Sequence, residues 1–298
     1  MAGPSAGSGG ATRGRHHAST SLMSHTLDAL IRKHPEIAPA AHTLRLLATT
    51  LPDITLPAGV PHVAAAEARL ATGIPALEGE PLLTRSALMA NVHVLARALG
   101  EVLEATATLP ETLDQRLGAA AADSLAAAAL TGAWDLVGET ARRAGLDPHF
   151  VITLVDHAAR PALRAGASAL REVMVQSRWT RATCPGCGAP PLLAELRSGG
   201  SSVSGAEQER VLRCGRCLAA WAFARLRCTG CGETSHQQLA YLHGSGEGTF
   251  RRADICSTCG TYLKSIAVLM PLSLPELLDL DLATAALDVA AVEQGFHR

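Results

Sequence analysis

The eight cysteines of this 298-residue chain fall into four Cys-x-x-Cys pairs, Cys184/Cys187, Cys214/Cys217, Cys228/Cys231 and Cys256/Cys259, and none lies outside them. A Cys-x-x-Cys turn sets two sulfurs on one side of a tight knuckle, close enough to share an ion. Two knuckles supply the four thiolates of a tetrahedral site, so the count supports two complete metal sites. The pairs also repeat. Cys228 and Cys231 follow Cys184 and Cys187 by 44 residues, and Cys256 and Cys259 follow Cys214 and Cys217 by 42. Each unit runs knuckle, hairpin, knuckle, as a duplicated ribbon would. Sequential pairing then groups Cys184, Cys187, Cys214 and Cys217 in one site and Cys228, Cys231, Cys256 and Cys259 in the other.

Glycine follows the second cysteine in three knuckles, as Gly188, Gly232 and Gly260. A residue with φ > 0 there lets backbone N–H groups point at sulfur and offset the thiolate charge. Four thiolates suit either Zn²⁺ or a single iron, and the spacing does not choose between them. A complete sulfur shell leaves no open position for water or substrate, which disfavours Lewis-acid chemistry. The sites are therefore structural or, with iron, one-electron redox centres. His236 and His243, on the second hairpin, are read as exposed polar residues rather than ligands. Thiol–disulfide exchange would need a lone Cys-x-x-Cys at a helix start, which is not this context.

Upstream, residues 24–176 carry helical signals almost throughout. Leu88, Val92, Leu95, Leu99 and Val102 advance by four, three, four and three residues, placing them on one helix face. Arg142-Arg143-Ala144-Gly145 reads as a helix end, and Asp147-Pro148 as an N-cap followed by proline in the first turn. Pro161 is expected to kink or break the helix that follows. Aromatics make up only 3% of the chain, and its apolar mass is mostly Ala, Leu and Val, which suits closely packed helices. This half offers no catalytic constellation.

Near Trp179 the periodicity changes to short alternating stretches, Leu192–Leu196, Val211–Arg213, Trp221–Leu226 and Leu239–Leu242, separated by Gly/Ser turns at 198–202 and 244–248. Ser273 with Glu276 fits a capping box, and Leu277, Leu280, Ala283, Ala286 and Leu287 share one face of a last helix. The expected architecture is α+β and multidomain. A disordered tail at 1–21 precedes an all-α domain at 22–178. Tandem rubredoxin-like (zinc-ribbon) β-hairpin units occupy 179–265, and a C-terminal helical segment occupies 266–298.

The formal charge is −1. From Arg178 to Lys264 there are 11 Lys/Arg and 6 Asp/Glu. Eight thiolates and two divalent ions would bring that region to about +1, too weak a field to make nucleic acid the expected partner. Trp221 and Phe223 are read as hairpin core. No apolar run approaches the roughly 18 residues of a membrane span, and no apolar segment follows the basic N-terminus as in a signal peptide. The expected location is the cytoplasm, where paired cysteines hold metal more often than they form disulfides.

The motifs resemble those of the formate dehydrogenase accessory protein family, FdhE. The similarity rests on Cys184-Pro185-Gly186-Cys187-Gly188, on Cys214-x-x-Cys217 with Trp221, on Arg227-Cys228-x-x-Cys231, and most of all on Cys256-x-x-Cys259-Gly260-Thr261-Tyr262-Leu263-Lys264. It continues through Asp281-Leu282-Ala283, Leu287-Asp288 and Glu293-Gln294-Gly295-Phe296, and it departs in the unshared extension to Ser21 and in lacking an Asn/Pro-containing tail after Arg298. This resemblance implies a non-enzymatic cytoplasmic maturation factor with two rubredoxin-like sites, holding iron rather than zinc. It implies binding to the catalytic subunit of a molybdenum- or tungsten-containing formate dehydrogenase before export, with the eight cysteines as the residues that matter. An iron-based electron-transfer or redox-sensing module, and a zinc-ribbon nucleic-acid-binding protein, are the alternative readings. The sequence leaves the oligomeric state open.

Overall fold

The structure, a computed structural model, describes residues 28, 31–32, 35–102, 109–120, 124–198, 208–243 and 250–298. The expected tail at 1–21 and most of both Gly/Ser turns lie outside these residues. After a short 3₁₀ turn at Pro35–Ile37 come helices α1 (Ala38–Thr49), α2 (Val63–Ala71), α3 (Arg85–Val102), α4 (Leu109–Ala120), α5 (Ser124–Thr131), α6 (Trp134–Arg143), α7 (Pro148–Ala169) and α8 (Arg171–Gln176). Strands β1 (Pro191–Ser198), β2 (Gln208–Cys214), β3 (Ala220–Ala222), β4 (Leu239–His243), β5 (Arg251–Cys256) and β6 (Tyr262–Val268) follow, then α9 (Leu274–Ala283) and α10 (Ala285–Glu293). The α+β arrangement of a helical half, two ribbons and C-terminal helix is present.

The helical half packs on the stripe that the heptad-like spacing marks out. Leu88, Val92, Leu95 and Leu99 of α3 are buried with Leu154, Val155 and Ala158 of α7. Helix α7 starts where the sequence says it should, with the Asp147 carboxylate accepting from Phe150 N–H at 2.7 Å and Gly145 at φ +67 just before. Pro161, however, does not break α7. The proline lacks an N–H and costs the helix about 3 kcal/mol, but it sits in a face of eleven buried residues that extends on both sides of it. Burying a Leu or Val side chain contributes roughly 1.5–3 kcal/mol, so packing outweighs the lost backbone bond.

The strands form one six-stranded sheet in the order β3-β2-β1-β6-β5-β4. The duplication is visible in the pairing itself. Pro191 opposes Cys214 in the first unit and Leu239 opposes Cys256 in the second. The units join where β1 runs parallel to β6, pairing Ala194 with Ser265 and Arg197 with Val268. Residues 266–268, placed by the sequence reading in the helical segment, are thus strand. Of the Trp221–Leu226 stretch only Trp221 and Ala222 are strand, because the chain must turn into the third knuckle.

The last helix is two helices. Thr284 is fully buried, and its hydroxyl donates to Leu280 O at 2.6 Å. Such back-bonding competes with the helix ladder and favours a bend. The break lets each piece cover a different part of the sheet. Leu277 and Leu280 of α9 pack on Leu193, Ile266 and Val268, while Leu287 and Ala291 of α10 pack on Ala253, Ile255 and Tyr262. Among the described residues no helix is long and apolar enough to cross a membrane.

Candidate metal centres

All eight predicted residues come together, in two groups of four. In each group the sulfurs lie within 4.8 Å of one another: Cys184, Cys187, Cys214 and Cys217 in one, Cys228, Cys231, Cys256 and Cys259 in the other. Contacts across the knuckles are 3.4 Å (Cys184–Cys217), 3.5 Å (Cys187–Cys214), 3.6 Å (Cys228–Cys259) and 3.8 Å (Cys231–Cys256). These exceed a disulfide bond of about 2.05 Å. Metal–sulfur bonds of about 2.3 Å give a tetrahedron with edges of about 3.8 Å, so the sulfur spacing fits a four-thiolate ion.

Three knuckles close in the same way. Gly188, Gly232 and Gly260 have φ of +76, +78 and +72, and each donates to the carbonyl of the first cysteine of its pair. The second knuckle, Cys214/Cys217, has Leu218 in this place, at φ +64. A leucine there costs roughly 1–2 kcal/mol, offset by its packing on the core shared by Leu193 and Leu277. Backbone N–H groups reach sulfur as expected: Gly186 to Cys184 at 3.3 Å, Arg216 to Cys214 at 3.4 Å and Gly230 to Cys228 at 3.2 Å. Gly230 also needs its bare Cα, since a Cβ would lie 2.5 Å from the Thr261 hydroxyl and 3.1 Å from Cys259 Sγ.

Electrostatics favour a cation. Burial foremost raises Cys184 well above the ordinary thiol range, and hydrogen bonding with the other three thiols raises Cys217. Those same neighbours hold Cys214 well below it. In the second group burial works to raise Cys228, but the Thr261 hydroxyl and the N–H groups of Cys231 and Gly230 outweigh it and bring the thiol to about 6. Cys231 goes the other way, to about 12: the Glu233 N–H lowers it, while desolvation and the three neighbouring sulfurs prevail. Four sulfurs this close cannot all ionise alone, and a divalent ion removes the conflict.

The two groups differ in surroundings. The first is wholly buried and belongs to the core that joins both halves, with Leu70, Leu77, Trp221 and Phe223. Ala76 and Leu77 donate to the carbonyls of Pro185 and Gly186 at 2.7 and 2.9 Å. Arg216, inside the second knuckle, reaches into the helical half. It pairs with Asp156 at 2.6 Å, donates to the carbonyls of Leu130 and Ala129, and lies 4.9 Å over the Trp134 ring. The second group is at the surface, with Cys231 exposed and Cys259 partly so. Here the Thr261 hydroxyl contacts Cys259 at 3.0 Å and Cys228 at 3.4 Å. The first group has Ala219 in the corresponding place. His236 and His243 are exposed and outside both groups.

Thr261 and Arg216 were not singled out by the sequence reading as site residues. Thr261 could have been found from the 42-residue repeat, which aligns it with Ala219. Arg216 carries no local signal, because its partners lie 60 or more residues away.

Residues 226–298 match the family model for the FdhE C-terminal domain. The FdhE homologue of Pseudomonas aeruginosa is 34% identical over 134 residues, 43% of this chain and 41% of that protein. The Stutzerimonas stutzeri homologue is 36% identical over 125 residues, 42% of this chain and 38% of that protein. The Aquifex aeolicus homologue is 33% identical over 120 residues, 40% of each. The matched stretch thus spans about two fifths of the curated relatives. The crystal structure of the FdhE protein from Pseudomonas aeruginosa superposes with a TM-score of 0.56 at 24% identity, over 93% of this chain and 92% of that one, so the fold is shared over most of both chains.

Proposed function

We propose that this chain, whose residues 226–298 match the family model for the FdhE C-terminal domain, is a cytoplasmic, non-enzymatic maturation factor for formate dehydrogenase. It binds the catalytic subunit before export. The observation that carries this reading is the pair of four-sulfur groups built into one sheet, the second of which lies within the residues that match the FdhE C-terminal domain. Each group holds one metal ion, iron in preference to zinc, with the eight cysteines as ligands. A closed sulfur shell supplies no coordination position for substrate, so its contribution is a rigid surface, and with iron a one-electron couple.

Co-purification tests the reading. Tagged chain, expressed in a host making its formate dehydrogenase, should retain the catalytic subunit, and deletion of the chain should leave that enzyme inactive. Full dehydrogenase activity in the deletion strain contradicts it.

The exposure of Cys231 and Cys259 favours a second reading, electron exchange through the surface group. Solvent access and N–H···S bonds set the potential of an iron–thiolate centre. That reading requires a protein that bleaches with dithionite and recolours in air, and a colourless zinc form active in vivo excludes it.

A further inference from the structure

A cavity of about 680 Å³ lies between α7, α8 and the first ribbon, with Cys217 and Leu218 in its wall. Four arginines line it, Arg164, Arg171, Arg197 and Arg213, against one lining carboxylate, Asp53. Glu195, behind the wall, serves two of them. It accepts from Arg197 at 2.7 Å and pairs with Arg213.

The other two are short of negative charge. Arg164 has its ion pair with Asp53 at 3.8 Å, beyond hydrogen-bond reach, and the Asp53 side chain is 91% exposed. Arg164 Nε is buried without a hydrogen-bond partner, and so is Nε of Arg213, whose side chain is only 7% exposed. Arg171 has neither an ion pair nor a hydrogen bond among the described residues. Burial is the largest influence on Arg164, and it lowers the guanidinium pKa. A buried cation without matching charge is expensive. An oxyanion would offset it, because a guanidinium donates two parallel N–H bonds to phosphate or carboxylate. The rest of the wall includes Ile54, Met174 and Val175. The volume falls within the roughly 300–1,000 Å³ of small-molecule sites.

We infer that this cavity binds a small organic anion, its phosphate or carboxylate group on Arg164 and Arg171 and its apolar body against Ile54, Met174 and Val175. The site does not depend on the maturation role, and the test is blind to it. Metal-loaded, full-length protein is titrated calorimetrically at low chloride with phenyl phosphate, benzoate and inorganic phosphate. Phenyl phosphate or benzoate should bind with a Kd below about 1 mM, and the tighter of the two identifies the head group. Arg164→Gln and Arg171→Gln should each weaken binding about tenfold, while Arg225→Gln, in the connection between the ribbons and outside the cavity lining, should not. Arg171 is exposed, so its variant reports even if Arg164→Gln misfolds. No binding of any probe up to about 10 mM overturns the inference. So does binding unchanged in Arg171→Gln, which would leave the arginines as counter-charge for the thiolates alone. Inorganic phosphate binding as tightly as phenyl phosphate would overturn the apolar part of the site.

Discussion

Thr261 shows how one hydroxyl separates two otherwise similar sulfur groups. It touches Cys259 and Cys228, while the corresponding Ala219 offers the first group nothing. Residues that hydrogen-bond to metal ligands typically change affinity 10–100-fold when removed. Thr261→Ala should therefore weaken the second site about tenfold and leave the first unchanged. Competitive chelation, read separately for the two ions, checks this, and equal loss from both sites would contradict it. At this scale much was legible. The cysteines, the three φ > 0 glycines and the Asp147 cap follow from local chemistry, because each makes its bond within a few residues. Leu218 was not legible as a left-handed residue, since its strain is offset by a core assembled from distant strands.

Elements were legible where one face alone is buried, as on α3. Strands β5 and β6 were missed because their buried positions do not alternate with exposed ones: β6 is buried at six of its seven positions, polar ones included. Lys264 and Ser265 are fully buried on β6, and Lys264 is held by Asp281 and Asp288 at 2.7 Å each. Alternation fails where ion pairs replace hydrophobes. The parallel joint between β1 and β6 spans some 70 residues, so no local pattern encodes it.

Arg216 docks the first ribbon on α5 and α7. Arg216→Ala removes a buried ion pair, two carbonyl bonds and the stack on Trp134, although Arg160 still neutralises Asp156 at 2.6 Å. It should destabilise the chain by about 2–4 kcal/mol, read from the denaturation midpoint. A loss below about 0.5 kcal/mol, as for an ordinary surface change, would show that the knuckle is not anchored there.

Buried His157 of α7 gives this element a pH dependence. Burial, then Arg160, lowers its pKa to about 4, so the folded chain keeps it neutral while the unfolded chain protonates near 6.5. Unfolded protein then binds more protons, and stability falls as pH drops from about 6.5 to about 4, by up to roughly 3 kcal/mol. His157→Gln should flatten that slope in urea titrations across the window. An unchanged slope would place the acid sensitivity elsewhere.

For the whole molecule, the two halves are joined through the first sulfur group and the ribbons through the β1–β6 pair, so an ion bound in the first group would be linked to tertiary assembly. An ion bound in either site would contribute on the order of 10 kcal/mol of folding-linked binding. The buried first group should hold its ion after the exposed second group has lost its own. Native mass spectrometry of anaerobically purified chain during chelation tests this most directly. The account predicts two ions per chain, then a one-ion species retaining its fold, then loss of shape with the second ion. In Cys256→Ala/Cys259→Ala the one-ion species should be present from the start. Two ions retained in that variant, cystines in place of free thiols, or an unaltered fold after both ions are gone would contradict it.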